Sequence, residues 1–168
     1  GSLLLAVAKA LAEGGVSNPN DIIFGCDKQP VNGHLTLVPK SNLVKSDFFD
    51  YPPDRKFDAV VMNPPYVRHH LISETKKKVY QKTINHLCQL IGKADLWAYF
   101  LVKAVSHLNF GGSIAAILPW SFLQADYAIP IRQWLTKSFG QIQVLALGAD
   151  FFDKAEERIV LIWLKEYG

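Results

Sequence analysis

The run FDAVVMNPPYVRHH, Phe57 to His70, places four chemically able residues at the end of an apolar stretch. An asparagine amide carries a carbonyl acceptor and an NH2 donor, and a proline carries a carbonyl with no N–H beside it. Asn63 and Pro64 therefore offer two acceptors that can converge on one amino group. Pro64 and Pro65 hold φ near about −65°, so those acceptors need no ordering when a ligand arrives. Tyr66 adds a flat face on which a planar substrate can stack.

A planar amino group on a heteroaromatic ring or an amide is a poor nucleophile, because its lone pair is delocalised. Acceptors on both of its hydrogens favour a pyramidal nitrogen with the lone pair freed. By analogy with a single oxyanion-hole group, each such contact contributes on the order of 10²–10³ in rate. Stacking on Tyr66 adds about 1–3 kcal/mol when the substrate is a nucleobase. Asn and Pro are also common turn formers. Position separates the two readings, since the motif directly follows an apolar run fit for a strand.

The elements that must carry this corner alternate along the chain. Leu3–Glu13 reads as a helix stopped by Gly14-Gly15, and Ser17-Asn18-Pro19-Asn20 turns the chain. Asp21–Cys26 reads as a short buried strand, followed by a weaker helical stretch to about Pro39 and a short strand over Asn42–Lys45. Phe57–Met62 is a strand, and Asp95–Leu108 a helix with Gly111-Gly112 as its stop. Ser113–Leu118 is a strand ended by Pro119, Tyr127–Phe139 a helix, and Gln141–Leu147 and Arg158–Lys165 the last strands. Strands apolar on both faces with helices between them predict an α/β domain whose mostly parallel sheet is covered on both sides. Ligands of such sheets bind beyond the carboxyl ends of the strands, where NPPY lies.

The chain has 168 residues, 49% hydrophobic and 20% charged, enough for one soluble globular domain with a sizeable core. Its formal charge of +3 permits a nucleic-acid partner without requiring one. Arg68, Lys76, Lys77, Lys78 and Lys82 cluster after NPPY, with Glu74 as the acid among them, a phosphate contact or a solvated helix face. Cys26 and Cys88 form no CxxC pair and read as reduced thiols of a cytoplasmic protein. The apolar opening is too short to span a bilayer, so no membrane partner is expected. His69, His70 and Glu74 lack a third convergent ligand type from another segment, so no metal is expected.

With NPPYVRHHLISETKKK, ADLWAYFLVKAVSHLNFGGSIAAILPWSFL and LALGADFFDKAEERIVLIWLKE in view, the chain resembles the S-adenosylmethionine-dependent amino-group methyltransferases. It is most similar to the adenine-N6 DNA methyltransferases of restriction-modification systems, and the likeness runs over nearly the whole chain. The resemblance implies a Rossmann-like methyltransferase sheet, mostly parallel with a closing antiparallel hairpin. It implies a catalytic motif Asn63, Pro64, Pro65 and Tyr66 in which Asn63 and Pro64 hold the target amino group and Tyr66 stacks on the base, with Phe151, beside Phe152, packing against the flipped adenine and Arg68 opening the basic run that holds phosphate. For the cofactor, S-adenosylmethionine, it implies Asp27 on the ribose hydroxyls and Asp47-Phe48 at the adenine. Lys28 stands where that family often has a hydrophobic residue.

That family carries a glycine-rich loop between its first strand and first helix. GSLLLAVAKAL resembles the end of this loop with Gly1 as its last glycine, so the first strand is expected to be missing. As a single catalytic domain over 1–168, a fragment without a target-recognition domain, the chain alone is expected to bind cofactor poorly and to be inactive. The implied partners are double-stranded DNA with a flipped adenine and a fused or separate target-recognition domain or nuclease. NPPY also occurs in methyltransferases of protein glutamine, and related motifs in those of RNA bases. An inactive nucleic-acid-binding fragment is the alternative of a different kind.

Overall fold

The structure is a computed structural model that describes residues 2–29, 39–52, 54–90, 93–147 and 158–168. The chain divides into two compact units, Gly1–Pro52 and Pro53–Gly168.

The first unit begins with α1, Ser2–Glu13. Its apolar residues recur at Leu4, Val7, Ala8 and Leu11, one helical stripe, and that stripe packs on Ile23 and Leu43. Gly15 ends it at φ +89°, with the Val16 N–H on the Leu11 carbonyl at 3.0 Å, the long return bond of a Schellman stop. Strands β1, Gly25–Asp27, and β2, Leu43–Lys45, pair in parallel with Cys26 opposite Val44. A Cβ on Gly25 would meet Leu4 Cδ1 at 2.9 Å, so glycine lets the helix lie close on the strand.

The strand expected over Asp21–Cys26 is shorter and later. Pro19 opens a 3-10 turn over Pro19–Ile22, and the Asn42 Nδ2 donates to the carbonyls of both Asp21 and Ile23 at 3.2 Å. Those carbonyls are thus satisfied by a side chain instead of a ladder. Most of the helical stretch expected before Pro39 lies outside the described residues.

The second unit holds β3, Phe57–Met62; α2, Glu74–Ile84; α3, Leu96–Val105; β4, Leu108–Pro119; α4, Ser121–Gln124; α5, Ile129–Ser138; β5, Phe139–Leu147; and β6, Ile159–Tyr167. Its sheet runs in the order β3-β4-β6-β5, with β3 and β4 parallel and β6 antiparallel to both β4 and β5. The parallel pairing and the antiparallel closing hairpin are those expected of a Rossmann-like methyltransferase sheet. Helix α3 packs against β4 and α5 against β5. Between them lies the core: Trp97, Leu101, Val105, Ile131 and Leu135 from the helices, Ile114, Leu118, Val160, Ile162 and Leu164 from the sheet.

Two expectations need correction here. Gly111-Gly112 does not end the helix; α3 stops at Val105, and the glycines lie inside β4. Phe57 pairs with Leu108 but Ala59 with Ser113, so β4 bulges between these points, with Gly111 at φ +78°. A Cβ on Gly112 would stand 2.8 Å from the Asn109 carbonyl oxygen, which explains the glycine there. The sheet is also less evenly covered than its apolar strands imply. Val61, Ala115, Trp163 and Gln143 form one row across all four strands, and on it Val61 is 41% and Trp163 47% exposed.

Candidate functional site: the corner after the third strand

Strand β3 ends where Met62 pairs with Ala116. The two prolines beyond it have no N–H to continue the ladder. Asn63 is exposed, Pro64 buried, Pro65 exposed and Tyr66 half-buried. The Tyr66 hydroxyl donates to the carbonyl of Ile117, the residue after Ala116 on β4, at 3.0 Å. A side chain thus ties the end of the motif to the strand that the ladder has just left.

The exit from the corner is held as firmly. The Leu96 N–H donates to the Val67 carbonyl at 2.9 Å, and the His69 N–H donates to Asp95 Oδ1 at 2.7 Å. The other Asp95 oxygen accepts from the Tyr127 hydroxyl at 2.8 Å, and that hydroxyl accepts from Trp97 Nε1 at 3.1 Å. Ser121 Oγ lies 3.3 Å from it. Burial, with the Asp95 carboxylate adding, pushes the Tyr127 hydroxyl up to about 12. Asp95, Tyr127 and Ser121 are absent from the sequence-based candidates. Their only signal in the chain is an aspartate just before an apolar helix, which reads as an ordinary cap.

The basic run follows on α2. Ser73 caps that helix by accepting from the Lys76 N–H at 3.4 Å, and Lys77 is bound to Glu74 at 2.7 Å. Arg68, Lys76, Lys78 and Lys82 are exposed.

Asp27 and Asp47 stand at the carboxyl ends of the parallel pair β1 and β2, Asp27 opposite Lys45. Asp27 is exposed and its Oδ1 accepts from the Gln29 N–H at 2.9 Å. Asp47 accepts from the Phe49 N–H at 3.1 Å through Oδ1 and pairs through Oδ2 with Lys28 Nζ at 2.7 Å. Lys28 therefore bears directly on the second candidate acid. Burial, followed by the charges of Asp27 and Asp47, raises the neighbouring Cys26 thiol above its ordinary value, against an activated thiolate there.

Residues 17–152 match the Eco57I restriction-modification methylases. The chain belongs to this family. It is 30% identical over 116 residues to the Type II methyltransferase M.AccI of Acinetobacter calcoaceticus, covering 68% of this chain and 21% of that protein. Among solved structures it is similar to the type IIG restriction endonuclease BpuSI, at TM-score 0.59 and 25% identity, over 78% of this chain and 17% of that one. A Listeria monocytogenes protein assigned to the class I S-adenosylmethionine-dependent methyltransferases shares the fold at TM-score 0.57 and 15% identity, over 76% of this chain and 37% of that one. The chain thus spans less than a third of the length of M.AccI and BpuSI.

Within this methylase family member, the structure brings Asn63 through Tyr66 together at one strand end and the two acids together at another. Gly1 and Phe151 lie outside the described residues, while Phe48 opens the 3-10 turn that Asp47 caps. His69 faces Asp95, Nδ1 to Oδ1 at 3.7 Å, with the His70 ring edge-on beside it. Among the described residues no three metal-ligating side chains converge, and no helix is long and apolar enough to cross a membrane.

Proposed function

We propose that this chain is catalytic sequence of a restriction-modification DNA methyltransferase that methylates the N6 amino group of a flipped adenine. The observation that carries this is the exposed Asn63 set between a strand end and two prolines, beside a tyrosine whose hydroxyl is anchored. Membership of the restriction-modification methylases supports DNA as the substrate class.

In this reading the Asn63 amide oxygen and the Pro64 carbonyl accept the two hydrogens of the adenine amino group. Holding both favours a pyramidal nitrogen and turns its lone pair outward for attack. The Tyr66 ring stacks on the base, held by its bond to Ile117 before the base arrives. The adenine must leave the duplex to reach such a corner, at a cost of a few kcal/mol. Phe151 is assigned to the far face of the flipped base, and Arg68 with the exposed lysines of α2 to the phosphates.

The first unit fits S-adenosylmethionine, which supplies an electrophilic methyl group on a sulfonium centre. A carboxylate has about four lone-pair sites. Asp27, with Gln29 on one oxygen and an exposed position at a strand end, retains capacity for a ribose diol. Asp47 and Phe48 are assigned to the adenine of the cofactor, and there the Lys28 pair must open or be shared.

The test is chemical. DNA, RNA and protein are each incubated with the intact protein and methyl-labelled cofactor, and the nucleosides or amino acids released from each are examined by mass spectrometry. Label in N6-methyladenine supports the proposal; label only in methylglutamine or in RNA bases refutes it.

A further inference from the structure

We infer that Asp95 is a positioning residue for methyl transfer: it fixes the exit of the Asn63–Tyr66 corner by bridging the His69 N–H to the Tyr127 hydroxyl. This rests on the proposed role of that corner.

An aspartate immediately before a helix normally turns its carboxylate back onto the N–H groups of its own first turn. Asp95 stands before α3 and makes no such bond. Its Oδ1 takes the N–H of His69, 26 residues away, at 2.7 Å, and its Oδ2 takes the hydroxyl of Tyr127, 32 residues away, at 2.8 Å. The residue best suited to cap α3 is committed to holding two other segments. The N–H of Leu96, a donor left over at any helix start, is bound to the Val67 carbonyl instead.

Together these bonds join Val67 and His69 to Leu96 and Asp95 at two alternating points. The anchor is rigid, because Trp97, Ala98, Leu101 and Val102 of α3 are fully buried. On the other side the corner is held by the β3–β4 ladder at Met62 and by Tyr66 on Ile117. The segment carrying the amino-group acceptors is thus clamped at entry, at its tyrosine and at its exit. Bonds to a carboxylate are roughly twice as strong as neutral ones, which suits Asp95 to the exit clamp. Tyr127 stays a proton donor throughout the neutral range, so its hydroxyl keeps donating to Asp95 there.

The consequence is a rate effect without a binding effect. A displacement of about 1 Å at a reacting centre costs about 10²-fold in rate. Asp95 itself touches neither DNA nor cofactor in this account, so its loss falls on kcat and leaves KM for both substrates unchanged.

The experiment compares Asp95→Ala, Asp95→Asn and Tyr127→Phe in the intact protein, measuring kcat, both KM values, thermal unfolding and hydrogen exchange at the His69 amide. Asp95→Ala is expected to speed His69 exchange selectively and to lower kcat about 10²-fold at unchanged KM. Asp95→Asn keeps an oxygen for the His69 N–H and is expected to recover most of the rate, with Tyr127→Phe between the two. Unchanged His69 exchange in Asp95→Ala overturns the inference, as does a kcat loss that tracks global destabilisation with exchange raised everywhere. If the wild-type protein methylates no DNA adenine, the proposed function fails, and the exchange comparison alone decides whether Asp95 clamps the corner.

Discussion

The Tyr66 hydroxyl donates to the Ile117 carbonyl at 3.0 Å, so the ring that closes NPPY is tied to the strand next to the one that delivers the motif. This bond separates two contributions of one side chain. Tyr66→Phe keeps the stacking face and loses the tether, so stability should fall by about 0.5–1.5 kcal/mol in thermal unfolding. Tyr66→Ala loses the face as well and should weaken productive DNA binding by a further 1–3 kcal/mol or so, read from KM. Equal KM for the two variants would remove stacking from the account.

The Lys28–Asp47 pair leads to a prediction for the cofactor. Both groups are partly exposed, so the pair is worth only about 0.2–1 kcal/mol. Lys28→Leu should remove one competitor for the Asp47 carboxylate and tighten S-adenosylmethionine binding by about that amount, measured by calorimetry on the intact protein. Markedly weaker binding would show that Lys28 itself contacts the cofactor.

The exposed cations of α2 should reveal themselves through salt. Replacing Lys76, Lys78 and Lys82 together by alanine should reduce the slope of log K against log salt by about 2.7, if each meets one phosphate of duplex DNA. Lys77, already bound to Glu74, should contribute less. An unchanged slope would make this a solvated helix face.

Tyr127 gives a pH dependence with a definite sign. Its hydroxyl is raised from about 10 to about 12, mainly by burial, so the folded state holds the proton more tightly than the unfolded chain does. The stability this contributes is complete below pH 10 or so and is lost as pH rises to about 12. Wild type should therefore lose stability across this window faster than Tyr127→Phe, in denaturant titrations at each pH. Parallel losses in the two proteins would contradict the placement of the hydroxyl.

The corner is legible in the chain because its cause is local. Ala59-Val60-Val61-Met62 favours a strand, and Pro64-Pro65 ends it by removing two donors, so β3 runs over the expected Phe57–Met62. Gly111-Gly112 misleads because the same residue type serves a helix stop and a strand bulge, and only the offset of Ala59 onto Ser113 distinguishes them. Asp21–Cys26 has strand composition, yet the Asn42 side chain claims its carbonyls from another segment. Asp95 escapes notice for the same reason: its partners lie 26 and 32 residues away, and a cap-forming aspartate gives no sign that it is engaged elsewhere.

The central claim is that Asn63 takes a hydrogen of the adenine amino group during methyl transfer. It is tested most directly by single-turnover methylation of duplex DNA with Asn63→Ala in the intact protein, with cofactor and DNA affinities measured alongside. The account predicts a rate lowered by on the order of 10²–10³ at nearly unchanged affinities. A wild-type rate of N6-methyladenine formation in that variant would contradict it.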